Sequence, residues 1–148
     1  MNESPFKTLE RAALGETHDA TALMEAMPWN ADGLIPAIAQ QHDSKDVLMM
    51  AWMSKETLNE TLKTGRVCYW SRSRQKPWRK GEASGQTQML KAAYLDCDGD
   101  TLLLLVDQVG PACHSGRRSC FYTQLTASEA KVITEPMISP DTLYGASH

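Results

Sequence analysis

MLKAAYLDCDGDTLLLLVDQ, residues 89–108, reads as two β-strands and the turn that joins them. Residues 89–96 and 101–108 have strand length and are rich in Leu, Val, Ala and Tyr. The Asp98-Gly99 pair between them supplies the left-handed backbone that a tight hairpin needs. Outward from this hairpin, residues 34–39 and 47–52 form a second pair of apolar strands across a polar connection, 40–45, that holds His42. Residues 67–71 have β-type composition, and residues 120–125 read as the final core strand. One firm helix interrupts them over residues 54–63. Ser54 caps it, Glu56 and Glu60 come early, Leu58 and Leu62 share a face, Lys63 stands in the last turn and Gly65 stops it. The fold class is therefore α+β, with a mainly antiparallel sheet.

At 148 residues the chain suits one domain with a proper core. Residues 1–28 form an N-terminal appendage with two weak helical signals, 5–14 and 19–27, separated by Gly15 and closed by Pro28. Residues 29–126 carry the chemistry. Residues 127–148 form a surface tail with one short helix-compatible piece and two prolines, Pro136 and Pro140. The net charge of -3 gives no overall cationic field for nucleic acid. No run approaches the roughly 18 apolar residues of a membrane span. The polar start, MNESPFK, lacks the basic and apolar regions of a secretory signal, which predicts a cytoplasmic protein. Four cysteines in that reducing compartment point to metal or chemistry rather than to disulfides.

Three of them, Cys97, Cys113 and Cys120, sit in polar or Gly/Arg-rich settings, with fifteen and then six residues between them. Thiolates are soft ligands that suit zinc, and three of them leave the fourth position for water, the pattern of a catalytic site. Cys68, inside the apolar run 67–70, is read as core. Asp96, Asp98 and Asp100 are hard oxygen ligands that suit magnesium. They do not make a calcium loop of the helix-loop-helix kind, because Thr101 stands where that loop needs glycine. Taken alone, the aspartates read as a solvated Asp-Gly turn; beside the cysteines they make a group of mutually repelling anions that a cation would hold together. His114, next to a proposed ligand, can serve as a fourth ligand, a general base or a polar loop residue.

Residues 71–86 show neither helical nor strand period and form a long loop. Arg72, Arg74, Lys76, Arg79 and Lys80 place five cations in nine residues around Trp78, a set suited to phosphate and a stacked base. Ser84 lies between Gly81 and Gly85, which allow close backbone approach. Glu82 is out of place in a surface built for polyanions, which favours a small phosphorylated ligand over RNA. Arg117 and Arg118 add a second cationic patch, so two separated phosphates can be held. The rival from another class is a zinc-stabilised RNA-binding module.

The motifs SRSR at 71–74, WRKGEASG at 78–85, DCDGD at 96–100 and ACHSGRRSCFY at 112–122 together resemble the phosphoribosyl-AMP cyclohydrolase family, over about residues 33–125. The resemblance implies a hydrolase of histidine biosynthesis that adds water to C6 of the adenine ring of phosphoribosyl-AMP and opens the N1–C6 bond. It implies zinc on Cys97, Cys113 and Cys120, magnesium on Asp96, Asp98 and Asp100, and His114 moving protons. Substrate would be gripped by Arg72, Arg74, Trp78, Lys80, Glu82, Ser84, Arg117 and Arg118. It also implies an intertwined homodimer in which Cys97 of one chain meets Cys113 and Cys120 of the other, with no nucleic-acid or membrane partner.

Overall fold

The structure is a computed structural model that describes residues 4–139, 141 and 142; the outermost residues of the 1–28 and 127–148 segments, Pro140 included, lie outside the described residues. Six strands make one curled sheet in the order β4-β3-β2-β1-β6-β5. These are β1 (Leu34–Gln41), β2 (Val47–Ser54), β3 (Cys68–Ser71), β4 (Lys76–Arg79), β5 (Gln88–Leu95) and β6 (Leu102–Gln108). Among the described residues four of its five pairings are antiparallel, as expected. The remaining one is parallel, Ala37 to Gln41 of β1 against Leu102 to Val106 of β6, so the sheet is mixed. Parallel neighbours need a long crossover, and the chain supplies it through everything between β2 and β5. The curl brings the far ends together: Leu90 N–H donates to Gly65 O at 2.7 Å and Val67 N–H to Gln88 O at 3.0 Å. The segment leading into β3 thereby closes against β5.

Strand alternation points one face of this curl inward. In β6, Leu102, Leu104 and Val106 are buried while Leu103 and Leu105 are only partly so. Ile35, Ala37 and Ala39 of β1, Leu48 and Met53 of β2 and Tyr69 of β3 meet them in one core. Helix α3 (Lys55–Thr64) covers part of it. Ser54 and Thr57 form a reciprocal capping box, and Gly65 ends the helix in the left-handed region at φ 80°. Leu58 is buried, but Leu62 is 43% exposed, contrary to the expected Leu58/Leu62 face. The inward stripe runs through Thr57, Leu58 and Thr61 instead, and the buried Thr61 hydroxyl accepts from Cys68 N–H at 2.9 Å.

The first segment folds as α1 (Pro5–Glu10) and α2 (Ala20–Ala26), α1 stopping short of the predicted residue 14. Phe6 and Met27 both join the main core. Phe6 lies on the hairpin turn, where Gly99 has φ +72° and any Cβ would run into the phenyl ring. Two sequence expectations fail further on. The stretch 71–86 is not all loop, because Lys76–Arg79 is β4, paired with β3 from Cys68↔Arg79 to Ser71↔Lys76. As an outermost strand it tolerates Pro77, which could not sit in the sheet interior. Residues 120–125 are not a core strand. Cys120 N–H bonds to Leu48 O at 2.7 Å, and the chain then leaves the sheet as β7 (Thr123–Leu125). This pairs with β8 (Ala130–Val132) in a separate exposed ribbon.

Two predictions follow from this packing. Leu104→Ala, at a fully buried position of the second-from-edge strand β6, should cost about 2–5 kcal/mol in urea unfolding; a loss below about 0.5 kcal/mol would contradict the core assignment. Arg79 of β4 binds Glu60 of α3 through two bonds, 2.7 and 2.9 Å, and this holds the Glu60 carboxyl below its ordinary 4.5. The stabilisation is therefore present above pH 4.5 and lost as pH falls through the lower, folded value. At neutral pH wild type should be more stable than Glu60→Gln by a modest, salt-sensitive margin that closes in acid. A difference that is constant with pH would refute the linkage.

Candidate active site and metal ligands

The loop after β6 brings two of the three predicted zinc ligands together. Ala112 N–H donates to Arg118 O at 3.0 Å, Cys113 N–H to Arg117 O at 3.1 Å and Gly116 N–H to Cys113 O at 3.0 Å, so residues 112–118 double back tightly. Gly116, at φ +87°, faces the Ile138 carbonyl so closely that a Cβ would collide with it. Arg118 pins the loop to the end of β6 through the Gly110 carbonyl at 2.9 Å and the Gln108 carbonyl at 3.3 Å. Arg117 donates to Thr134 O at 2.9 Å and lies 4.1 Å over the Tyr122 ring.

At the mouth of this loop the Cys113 and Cys120 side chains lie close enough to influence each other; Cys113 is buried, and Cys120 is exposed as a residue although its sulfur is partly shielded from water. That shielding, with Cys113 adding to it, pushes the Cys120 thiol up to about 12. Ser115 donates its hydroxyl to Cys113 Sγ at 3.1 Å and its N–H at 3.5 Å. Neither bond was foreseen from sequence, although a serine two residues from a cysteine is well placed for both. Lys80 is buried, and its Nζ donates to Ala112 O at 2.8 Å. Burial lowers its pKa, and the neighbouring Cys120 and Cys113 oppose that shift.

Cys97 stands elsewhere, in the β5–β6 turn with Asp96 and Asp98; the ligand atoms of these three lie within 4.8 Å of one another. Both aspartates raise the Cys97 thiol pKa. Asp100 is outside that group and accepts from the Thr101 hydroxyl at 3.5 Å. Cys97 precedes β6 and Cys113 follows it. Seven strand residues at about 3.3 Å each set the two ends of β6 roughly 20 Å apart. The Cys113–Cys120 sulfur pair suits a soft metal, and the two exposed carboxylates suit a hard one. One chain thus offers two sulfurs at one end of β6 and the third at the other. Cys68, as expected, is a core thiol, raised to about 11 by burial.

A cleft of about 470 Å³ is lined by Ser71, Ser73, Arg74, Trp78, Glu82 and His114, with Ala83. It unites Arg74, Trp78 and Glu82 with the exposed His114, next in sequence to Cys113. Ser71 and Ser73 were not singled out from sequence. Arg72 lies 5.1 Å over the Trp52 ring, Ser84 accepts from Gln86 N–H at 3.2 Å, and neither lines the cleft. Gly81 lets the 81–87 turn close, since a Cβ there would come within 2.6 Å of the Gln86 and Thr87 backbone. A separate hollow of about 240 Å³ between α2, α3 and β5 is lined by no charged residue.

A family model described as phosphoribosyl-AMP cyclohydrolase matches residues 49–122. The chain is 65% identical over 139 residues to the phosphoribosyl-AMP cyclohydrolase of Alkalilimnicola ehrlichii, covering 94% of this chain and 98% of that one. It is 66% identical to the protein of the same name from Chromohalobacter salexigens, covering 95% and 96%, and 61% identical to that of Hydrogenovibrio crunogenus, covering 94% and 95%. The likeness extends well outside residues 33–125, into both terminal segments. By full-length identity and by the match across the cysteine and aspartate motifs, this chain belongs to the phosphoribosyl-AMP cyclohydrolase family.

Proposed function

We propose that this chain hydrolyses phosphoribosyl-AMP, opening the adenine ring at the N1–C6 bond as a step of histidine biosynthesis. Full-length identity with proteins of that name names the reaction. The observation that carries it locally is that His114 adjoins Cys113 of the Cys113–Cys120 sulfur pair and shares a cleft with Arg74, Trp78 and Glu82. One volume then offers a proton carrier, a phosphate-binding cation, an aromatic surface for a purine and a carboxylate acceptor for ribose hydroxyls.

Cys113 and Cys120 would hold zinc together with Cys97 of a second copy, and Asp96, Asp98 and Asp100 would hold magnesium. When bound, zinc supplies a water acidified toward neutrality and so ready to act as nucleophile. The raised Cys120 thiol must release its proton for ligation, so zinc is held more tightly as pH rises. Trp78 stacks on the base, and Arg74 grips one phosphate. Arg72, Ser84, Arg117 and Arg118 remain for the second phosphate. His114 takes the proton released as water adds to C6 and returns it to N1 as the N1–C6 bond breaks, leaving C6 as a carboxamide.

The separation imposed by β6 supports a homodimer, because three sulfurs converge on one ion only if a second copy contributes Cys97. Zinc thiolates and free cysteines suit the cytoplasm, and no helix among the described residues is long and apolar enough to cross a membrane. An RNA-binding module fits less well. Arg79 is paired with Glu60 and Lys80 is buried, which removes two cations from the surface such a module would use.

The test is an ultraviolet assay on phosphoribosyl-AMP with metal analysis of the same preparation. Cys113→Ser should lose activity by at least about 100-fold and lose bound zinc while keeping its fold by circular dichroism. A fully active, zinc-replete variant would refute the assignment.

A further inference from the structure

Lysine 80 belongs to the run of cations that the sequence presents as a phosphate-binding loop, yet it points the other way. It is 5% exposed. Its N–H bonds to Val67 O at 3.0 Å at the end of β4, and Gly81 turns the chain immediately after it. The stem carries the ammonium past the Trp78 ring, 5.5 Å from its centre, to Ala112 O at 2.8 Å. Among the described residues no carboxylate forms an ion pair with it; the partner it does hold, Ala112, immediately precedes Cys113.

Burying an ammonium without a counter-charge is costly. Three thiolates around a divalent ion leave one net negative charge, which one ammonium cancels. The same ammonium holds the carbonyl of Ala112, whose N–H is bound to Arg118 O. The residue preceding Cys113 is thus fixed on both sides.

We infer that Lys80 is a positioning residue for the Cys113 and Cys120 sulfur pair, and not a phosphate ligand: it neutralises the metal-thiolate charge and orients the loop that carries Cys113. The inference rests on the zinc reading above. It adds a cation whose removal weakens metal binding while leaving substrate recognition intact.

The experiment measures zinc affinity by chelator competition, and the cobalt-thiolate charge-transfer band, for the full chain and for Lys80→Met, Lys80→Gln and Lys80→Arg. Lys80→Met keeps the stem and removes the charge, and should lose about 10–100-fold in zinc affinity and shift the cobalt band. Its KM for phosphoribosyl-AMP at saturating zinc should not change. Lys80→Gln retains a donor for Ala112 without the charge and should show the same direction of loss, which keeps the test decisive if the Met variant does not fold. Lys80→Arg should retain most of the affinity. Unchanged zinc affinity in Lys80→Gln, with a raised KM, would overturn this inference alone and return Lys80 to the phosphate site. Failure of the wild-type chain to bind zinc or cobalt would overturn both this inference and the reading it rests on.

Discussion

The rigid length of β6 governs this molecule. Leu102, Leu104 and Val106 are sealed in the core, and the strand is hydrogen-bonded on both sides, to β1 and to β5. It therefore cannot bend to bring its two ends together. The Asp-rich turn with Cys97 is fixed at one end, and the loop with Cys113 and Cys120 at the other. A core strand that keeps apart the parts of one proposed metal site makes association between copies the natural route to completing it.

Around Cys113 the structure buries polar groups, Lys80, Gln88 and Gln108 among them, an expensive combination. The chain meets the cost with specific partners. Tyr69, fully buried, donates its hydroxyl to Gln88 Oε1 at 2.7 Å, and Gln88 Nε2 reaches Met49 Sδ at 3.2 Å. Burial raises the Tyr69 pKa and Cys120 adds to it, which keeps the phenol a neutral donor. Lys80 and Ser115 direct donors into the same region, toward the Ala112 carbonyl and the Cys113 sulfur. Beyond it, Met137 N–H bonds to Gly116 O at 2.8 Å and Arg117 to Thr134 O. The segment after the β7–β8 ribbon thus lies across the ligand loop. The cleft lined by His114 adjoins this region, and His114 itself is exposed.

Much of this was legible in sequence where local chemistry decides the outcome. Ser54, Thr57 and Gly65 carry the start and stop of α3 in their own side chains and backbone freedom, and Asp98-Gly99 specifies its hairpin. Cys68 lies in an apolar run and is core. Other features depend on partners distant in sequence. The parallel β1–β6 pairing follows from a crossover that no local pattern encodes. β4 was hidden because Pro77 and its flanking cations are permitted only at a sheet edge. Phe121-Tyr122-Thr123 has β-type composition, which serves an exposed ribbon as well as a core strand. Lys80 was grouped with its charged neighbours because a run of cations reads as solvated, and its burial is set by Val67, Trp78 and Ala112. The joining of Cys113 to Cys120 depends on turn hydrogen bonds within their loop, and the isolation of Cys97 from both depends on β6.

Subunit complementation tests the central claim most directly. Cys97→Ser and Cys113→Ser chains, each inactive alone, are unfolded together, refolded and assayed. In a mixed dimer one site receives both substitutions and the other neither, so random pairing should restore about a quarter of wild-type activity. A mixture that stays inactive although mixed dimers have formed would contradict a site assembled from the two ends of β6 in different copies.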